Sequence, residues 1–339
     1  MPNHAPHFRR ALLAWYRREG RDLPWRHTRD PYAILVSEIM LQQTQVATVL
    51  SYYREWLRRF PDFQTLARSD ESDVLHAWQG LGYYTRGRNL HAAAKIVVAR
   101  LDGLFPRDIG EMRELPGIGR YTAHAVATFS FDRPVAVVEA NIARVLARIS
   151  NLQLPIDSAP GLDFVWNLAT ALVSPRRAHD YNSALMDLGA LICTPRRPKC
   201  DRCPVRSFCQ ATDPDSLPRK KARPAIKTLV ERHFFAVRRN LVLLEQSAER
   251  WRGLWILPRI SQSPNAARPI YRAEFPFTNH RITLEVYRQP PGRVAATPGR
   301  RWFPLDSLGK LALPSPHRRA LTALATLSPR KLGSTLAPT

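Results

Sequence analysis

Two glutamates and four cysteines are the residues whose types and spacing most suit chemistry. Glu38 sits at the border of an apolar helical stripe, in Ser37-Glu38-Ile39-Met40-Leu41-Gln42-Gln43, where loss of water raises a carboxyl pKa. Glu139 falls in the first turn of a later amphipathic helix. The helix dipole there favours the ionised form, so Glu139 is expected to titrate lower than Glu38. A neutral carboxyl and a carboxylate in one site make an acid and an anion. Either glutamate alone reads better as an ordinary helical residue. Cys193, Cys200, Cys203 and Cys209 are spaced C-x6-C-x2-C-x5-C and are the chain's only cysteines. In a reducing compartment four such thiolates converge on one metal centre in preference to disulfides.

A third feature is the turn Leu115-Pro116-Gly117-Ile118-Gly119. Two glycines within five residues allow positive φ and close backbone approach, so free N–H groups can point at a phosphate oxygen. The helix that follows adds its positive end.

The elements that must position these residues are mostly helices. Phe8, Leu12, Leu13 and Tyr16 recur at helical spacing, and Gly20 ends the run. Leu23-Pro24-Trp25-Arg26-His27 is extended. Asp30 then caps a helix with Pro31 at its first position and Tyr32, Leu35, Val36 and Ile39 as its stripe. Residues 66–100 continue as helices broken at Gly80-Leu81-Gly82-Tyr83-Tyr84, whose aromatics can pack or stack on bases. Arg86, Arg88 and Lys95 give that turn a basic flank. Val138, Ile142, Val145, Leu146 and Ile149 mark the helix of Glu139, with Arg144 and Arg148 on another face. Residues 166–192 are helical and run into the cysteines. Residues 211–228 are rich in proline and charge and read as a linker. Beyond them, alternating β-branched runs suggest strands of an α+β domain. The expected division is a helical domain over 1–210, a linker at 211–228, an α+β domain over 229–328 and a frayed tail at 329–339.

Lys and Arg outnumber Asp and Glu 51 to 28 in 339 residues, a net charge of +23 with pI near 10.9. Such an excess favours a polyanionic partner, above all nucleic acid. From residue 210 onward the net charge is +15, so the smaller domain is the more cationic per residue. No apolar run is long enough for a membrane span, and the first residues lack a signal peptide's apolar core. A cytoplasmic, nucleoid-associated monomer with no membrane partner is expected.

These motifs arrive in a recognisable order: LPWR at 23–26, SEIMLQQTQVATV at 37–49, GLGYYTRGRNLH at 80–91, LPGIGRYTA at 115–123, NIARVLAR at 141–148, MDLGALICT at 186–194, then the cysteines. Through them residues 20–210 resemble the helix-hairpin-helix DNA glycosylases of the endonuclease III superfamily, specifically the MutY-type A/G-specific adenine glycosylases. The resemblance implies a mainly α helix-hairpin-helix glycosylase fold with an Fe-S loop at 193–209, plus a smaller α+β Nudix-like C-terminal domain. It also implies a [4Fe-4S] cluster on Cys193, Cys200, Cys203 and Cys209. The alternative is a zinc held by four thiolates, which the x6 and x5 spacings fit less well.

The implied reaction is base excision repair: adenine opposite 8-oxoguanine or guanine is flipped out of double-stranded DNA and its N-glycosidic bond hydrolysed. Glu38 would protonate the adenine ring, Glu139 would stabilise or attack the oxocarbenium ion, and Asn141 would order the site. Trp25, Arg26 and Leu41 would line the adenine pocket, with Gln43 and Tyr83 probing around the estranged base. Arg86, Gly117 and Gly119 would contact DNA. Tyr121 stands where related bifunctional lyases have a lysine, and without an amine there is no Schiff base. A monofunctional enzyme is therefore expected. Phe277-Thr278-Asn279-His280 resembles the loop that inspects 8-oxoguanine, which gives Thr278 and Asn279 a reading role. Trp251-Arg252-Gly253-Leu254-Trp255-Ile256-Leu257-Pro258 carries the Nudix likeness, but no acidic helix follows to hold Mg²⁺, so that domain should bind and not catalyse.

Two departures stand out. The family's Asp-Gly-Asn reads Glu139-Ala140-Asn141 here. The added methylene shifts the carboxylate by up to about 1.5 Å, and a displacement of about 1 Å can cost on the order of 100-fold in rate. Ser183 stands where the family has a longer Gln or Glu that reads adenine. Two other functions therefore stay open: a glycosylase for another mispaired or damaged base, such as thymine opposite guanine, and a weakly active mismatch-binding protein.

Overall fold

The structure, a computed structural model, describes residues 4–222, 224–260, 268–289 and 299–326. It divides into two compact units, Met1–Arg68 with Asn89–Ala222, and Ser69–Arg88 with Arg223–Thr339. The helices in chain order are α1 (Ala5–Glu19), α2 (Pro31–Leu41), α3 (Val46–Arg59), α4 (Phe63–Arg68), α5 (Glu71–Ala77), α6 (Thr85–Arg100), α7 (Ile109–Glu114), α8 (Arg120–Phe131), α9 (Ala140–Ile149), α10 (Ala159–Leu172), α11 (Ala178–Asp187) and α12 (Ser315–Ala325). The strands are β1 (Lys227–Phe235), β2 (Val237–Arg238), β3 (Leu241–Gln246), β4 (Trp255–Ile256), β5 (Tyr271–Phe277), β6 (His280–Arg288) and β7 (Arg300–Pro304). The fold is mainly helical with a C-terminal α+β region.

In the first unit α2 starts as expected, with Asp30 accepting from the N–H groups of Tyr32 and Ala33 and Pro31 at the first position. The helix carries no single stripe, because every residue from Tyr32 to Met40 is buried. A helix apolar all round belongs inside a core, and α2 packs against α3 and α8. A second core joins α1, α9, α10 and α11 through Phe8, Leu12, Ile142, Leu146, Val165 and Leu185. The π-helical turn Leu188–Ile192 continues α11 into the cysteine loop. It lies so close to α9 that a Cβ on Gly189 would stand 2.6 Å from Asn141 Cβ.

The expected boundaries shift. Residues 211–222 belong with the first unit: Leu217 is buried, its carbonyl accepts from Arg148 Nε at 3.0 Å, and the Lys221 N–H donates to Asp157 at 2.8 Å. Residues 69–88 group with the C-terminal segment. The second unit holds a sheet of order β1-β6-β5, with β1 parallel and β5 antiparallel to β6, and another in which β3 pairs with β2, β4 and β7. The tail at 329–339 lies outside the described residues. No helix among the described residues is long and apolar enough to cross a membrane.

α7 and α8 are joined by the turn of the two glycines, both exposed. Their roles differ. Gly117 has φ +78, and a Cβ there would meet Asn89 Cβ at 2.7 Å. Gly119 is extended at φ −86, caps α8 and has open space where a Cβ would go. Gly117→Ala should therefore cost about 1–3 kcal/mol, read as a fall in Tm by calorimetry, while Gly119→Ala leaves Tm nearly unchanged.

Candidate active site

A cavity of about 610 Å³ in the first unit is lined by Trp25, Arg26, Glu38, Leu41, Gln43, Tyr121, Glu139, Asn141 and Ser183. Residues spread over more than 150 positions, each singled out in the sequence, thus face one space. The remaining ones lie elsewhere. Tyr83 and Thr278 line a separate cavity of about 450 Å³ inside the second unit. Asn279 is exposed in the turn between β5 and β6. Gly117 and Gly119 are in the α7–α8 hairpin. Arg86 is a correction: it is buried, its Nη2 donates to the carbonyls of Leu81 and Gly82, and its guanidinium lies over the rings of Trp78 and Tyr83. It braces the glycine turn from inside instead of offering its charge to phosphate.

Glu38 is 4% exposed. Burial pushes its carboxyl up to about 7, with Glu139 nearby adding to the rise. The Tyr121 phenol donates to Glu38 Oε2 at 2.6 Å and pulls the other way, as does Arg26. Because Oε2 already accepts that proton, the acid proton of Glu38 belongs on Oε1. Arg26 is restrained in turn by Asp187. Its Nη1 and Nη2 each donate to an Asp187 oxygen at 2.6 Å, and Arg21 donates to the same carboxylate through its backbone N–H and Nε. Asp187 has no solvent exposure and is held below the usual carboxylate range by these arginines against its burial.

Glu139 differs from expectation in its place on the helix. It is not in the first turn of α9 but at its N-cap, where Oε2 accepts from Asn141 N at 2.7 Å and Oε1 from Ile142 N at 2.9 Å. Its backbone is extended, and the carboxyl curls back onto the helix end. Its pKa is also raised, because burial outweighs the two N–H groups. Asn141 Oδ1 accepts from Arg144 Nη2 at 2.7 Å, and the same guanidinium donates to the carbonyls of Gly189 and Cys193.

Arg144 and Arg148, expected on a face of α9 other than its apolar stripe, are buried against the cysteine loop. Arg148 donates to the carbonyls of Thr194 and Pro195 and to Cys193 Sγ at 3.3 Å. The four cysteines are half-buried, unpaired, and line one apolar void. Cys203 is pushed up to about 11 by burial, with Cys193, Cys209 and Cys200 close enough to add to it. Four thiols lining one void are a donor set that fits an iron–sulfur cluster. Arg196, Arg197, Lys199, Arg202 and Arg206 are exposed around it.

Sequence reasoning missed Arg21 and His179 in the cavity's wall, Asp187, which holds Arg21 and Arg26, and Tyr16, which shares a hydrogen bond with Ser183. An aspartate set between apolar residues in Ala184-Leu185-Met186-Asp187-Leu188 was the available signal for a buried charge that needs a partner.

Residues 36–155 match the family described as HhH-GPD superfamily base excision DNA repair protein, and residues 193–209 match the iron-sulfur binding domain of endonuclease III. The loop is a [4Fe-4S] site. A mouse protein named adenine DNA glycosylase is 47% identical over 213 residues, which are 60% of this chain and 41% of the relative. The chain thus spans about two-fifths of that relative's length. One from Buchnera aphidicola subsp. Baizongia pistaciae, of the same name, is 36% identical over 74% of this chain and 73% of its own. A solved thermostable thymine-DNA glycosylase is 32% identical with a TM-score of 0.57, covering 61% of this chain and 96% of its own.

The buried carboxyl has a measurable cost. With a folded pKa near 7 and an unfolded value near 4.5, the folded state holds the proton more tightly. Its contribution is fully present below about pH 4.5 and is lost as pH rises through 7. Glu38→Gln has no proton to lose. Urea unfolding should show it more stable than wild type by up to about 3 kcal/mol above pH 7, with the gain vanishing near pH 4.

Proposed function

We infer function from membership: the chain belongs to the adenine DNA glycosylase family, within the HhH-GPD superfamily, and on that premise it excises adenine from mispairs in double-stranded DNA. The observation that carries the reading is the buried Glu38, near neutrality in its pKa, sharing one cavity with Glu139. Flipping brings the base into that cavity. Glu38 Oε1 gives its proton to a ring nitrogen of adenine, so the base leaves with the electrons of the N-glycosidic bond. Glu139, held by the two N–H groups of α9, faces the positive charge that develops on the sugar. Water adds to the anomeric carbon and releases a proton, which completes hydrolysis.

Tyr121 offers a phenol and no amine, so no Schiff base forms and the enzyme is monofunctional. The bound [4Fe-4S] cluster supplies iron–thiolate bonds that fix the loop. Arg144 and Arg148 hold that loop against α9, and the exposed arginines around it meet phosphate. The opposite base is 8-oxoguanine or guanine, a reading supported by the second unit's cavity, where Tyr83 and Thr278 share a wall with Trp251 and Arg250. Every group of the candidate site comes from one chain, so a monomer suffices. A second reading, thymine opposite guanine, is favoured by Ser183 and by the likeness to the thymine-DNA glycosylase.

Single-turnover base release from duplexes with A opposite 8-oxoguanine, A opposite G, T opposite G and matched pairs separates these readings. Adenine release, with strand breaks only after alkali, is expected. Its rate should fall tenfold per pH unit above about pH 7, as Glu38 loses its proton, and fall again at acid pH, as Glu139, whose pKa burial raises, gains one. Glu38→Gln should lower release by about 100-fold or more. Strand cleavage without alkali would contradict the monofunctional assignment, and tight binding of A opposite 8-oxoguanine without release would favour a mismatch-binding protein.

A further inference from the structure

We propose that Asp187 is a positioning residue for the candidate acid: it fixes Arg26 in the cavity wall, so that the guanidinium cannot turn to Glu38 and hold it as an anion. The inference rests on the reading of Glu38 as the proton donor and deepens it. Arg26 and Glu38 line the same cavity, and each lies within reach of the other's charge. Buried charges pair wherever a partner is free to move to them. An opposite charge within about 4–6 Å lowers a carboxyl pKa by about 1–3 pH units. A glutamate so paired is ionised at neutral pH and has no proton to give.

Asp187 prevents this by engaging both terminal nitrogens of Arg26. Nη1 and Nη2 each donate to a different Asp187 oxygen at 2.6 Å, Nη1 also donates to the Arg21 carbonyl at 3.0 Å, and the guanidinium lies over the Tyr16 ring. The carboxylate is itself fixed. It has no solvent exposure at the last position of α11, where Oδ2 accepts from the Arg21 N–H at 2.7 Å and Oδ1 from Arg21 Nε at 2.8 Å. Both arginines of the cavity wall are therefore held by Asp187, and the Arg21 side chain, 27% exposed, keeps its charge in contact with water. Glu38 faces a closed ion pair, whose field falls off faster than that of a bare guanidinium. The other groups that act on Glu38 are Tyr121 on α8 and Glu139 at the cap of α9, with His179 of α11 also in the wall. α3, which packs on α2 as well, brings an apolar residue, Val46, to that wall.

The test is the titration of Glu38 by carboxyl ¹³C NMR, with single-turnover adenine release across pH, in the full cluster-loaded chain. Asp187→Asn keeps the shape and removes the charge. It should lower the Glu38 midpoint from about 7 by about one pH unit or more. Release at pH 7 should slow by about fivefold or more, with the gap to wild type closing as pH falls. Adding Arg26→Gln to that variant should return the midpoint to near 7. Because Arg26 lines the cavity, the midpoint and not the rate is read in the double variant. Cluster absorbance and Tm check that the variants fold. In wild type the ¹⁵N signals of Arg26 Nη1 and Nη2 should keep their positions while Glu38 titrates, a reading that needs no variant. An unmoved midpoint in folded Asp187→Asn, a double variant whose midpoint stays low, or Arg26 signals that follow Glu38 each overturn the assignment. So does a loss of release equal at every pH, which is what a merely structural role would give. These outcomes leave the glycosylase reading intact. If wild type releases no base, that reading falls, and the part of Asp187 in the reaction falls with it.

Discussion

Taking a carboxyl out of water is the constraint on which the rest of the candidate site depends. An ionised carboxylate in an apolar interior is too costly to persist alone, so the group either finds a cation or keeps its proton. Glu38 lies on α2, a helix buried on every side, and the cation near it among the described residues is already committed. The nearby candidate, Arg26, is held by Asp187, which is itself buried and doubly bonded to it. Tyr121 offers one hydrogen bond and no charge. The outcome is a carboxyl that holds its proton until near neutral pH, which is the state a general acid requires.

The second carboxyl is treated differently by the same core. Glu139 is also buried, but the end of α9 gives it two N–H donors and the positive pole of the helix. The longer side chain, which in the sequence means a shifted carboxylate, is accommodated as a helix cap. From there a chain of contacts runs through Asn141 and Arg144 to Gly189 and Cys193. Gly189 is what permits the close approach, since a side chain there would displace Asn141. The cluster loop and the candidate catalytic helix therefore cannot move independently.

Much of this was legible because some motifs state their chemistry locally. Four cysteines in seventeen residues announce a metal centre, two glycines announce a tight turn, and Asp30 before Pro31 announces a helix start. What failed depended on tertiary context. Periodicity treats charge as solvated, which puts Arg86 in a basic flank and Arg144 and Arg148 on a separate helical face, whereas carbonyls of its own turn hold Arg86 and carbonyls of the cysteine loop hold Arg144 and Arg148 inside. Glu139 was placed one residue into its helix, since first turn and N-cap differ only in a backbone torsion that composition does not encode. The grouping of residues 69–88 with the C-terminal segment is set by packing between distant stretches.

The central claim is that the fold keeps Glu38 protonated near neutrality, and its titration tests this most directly. Glutamates of the full chain labelled with ¹³C at the carboxyl carbon would be followed by NMR across pH, with Glu38→Gln identifying the signal. The account predicts one carboxyl with a midpoint near 7, missing in the variant. A Glu38 midpoint near the ordinary value of 4.5 would contradict it.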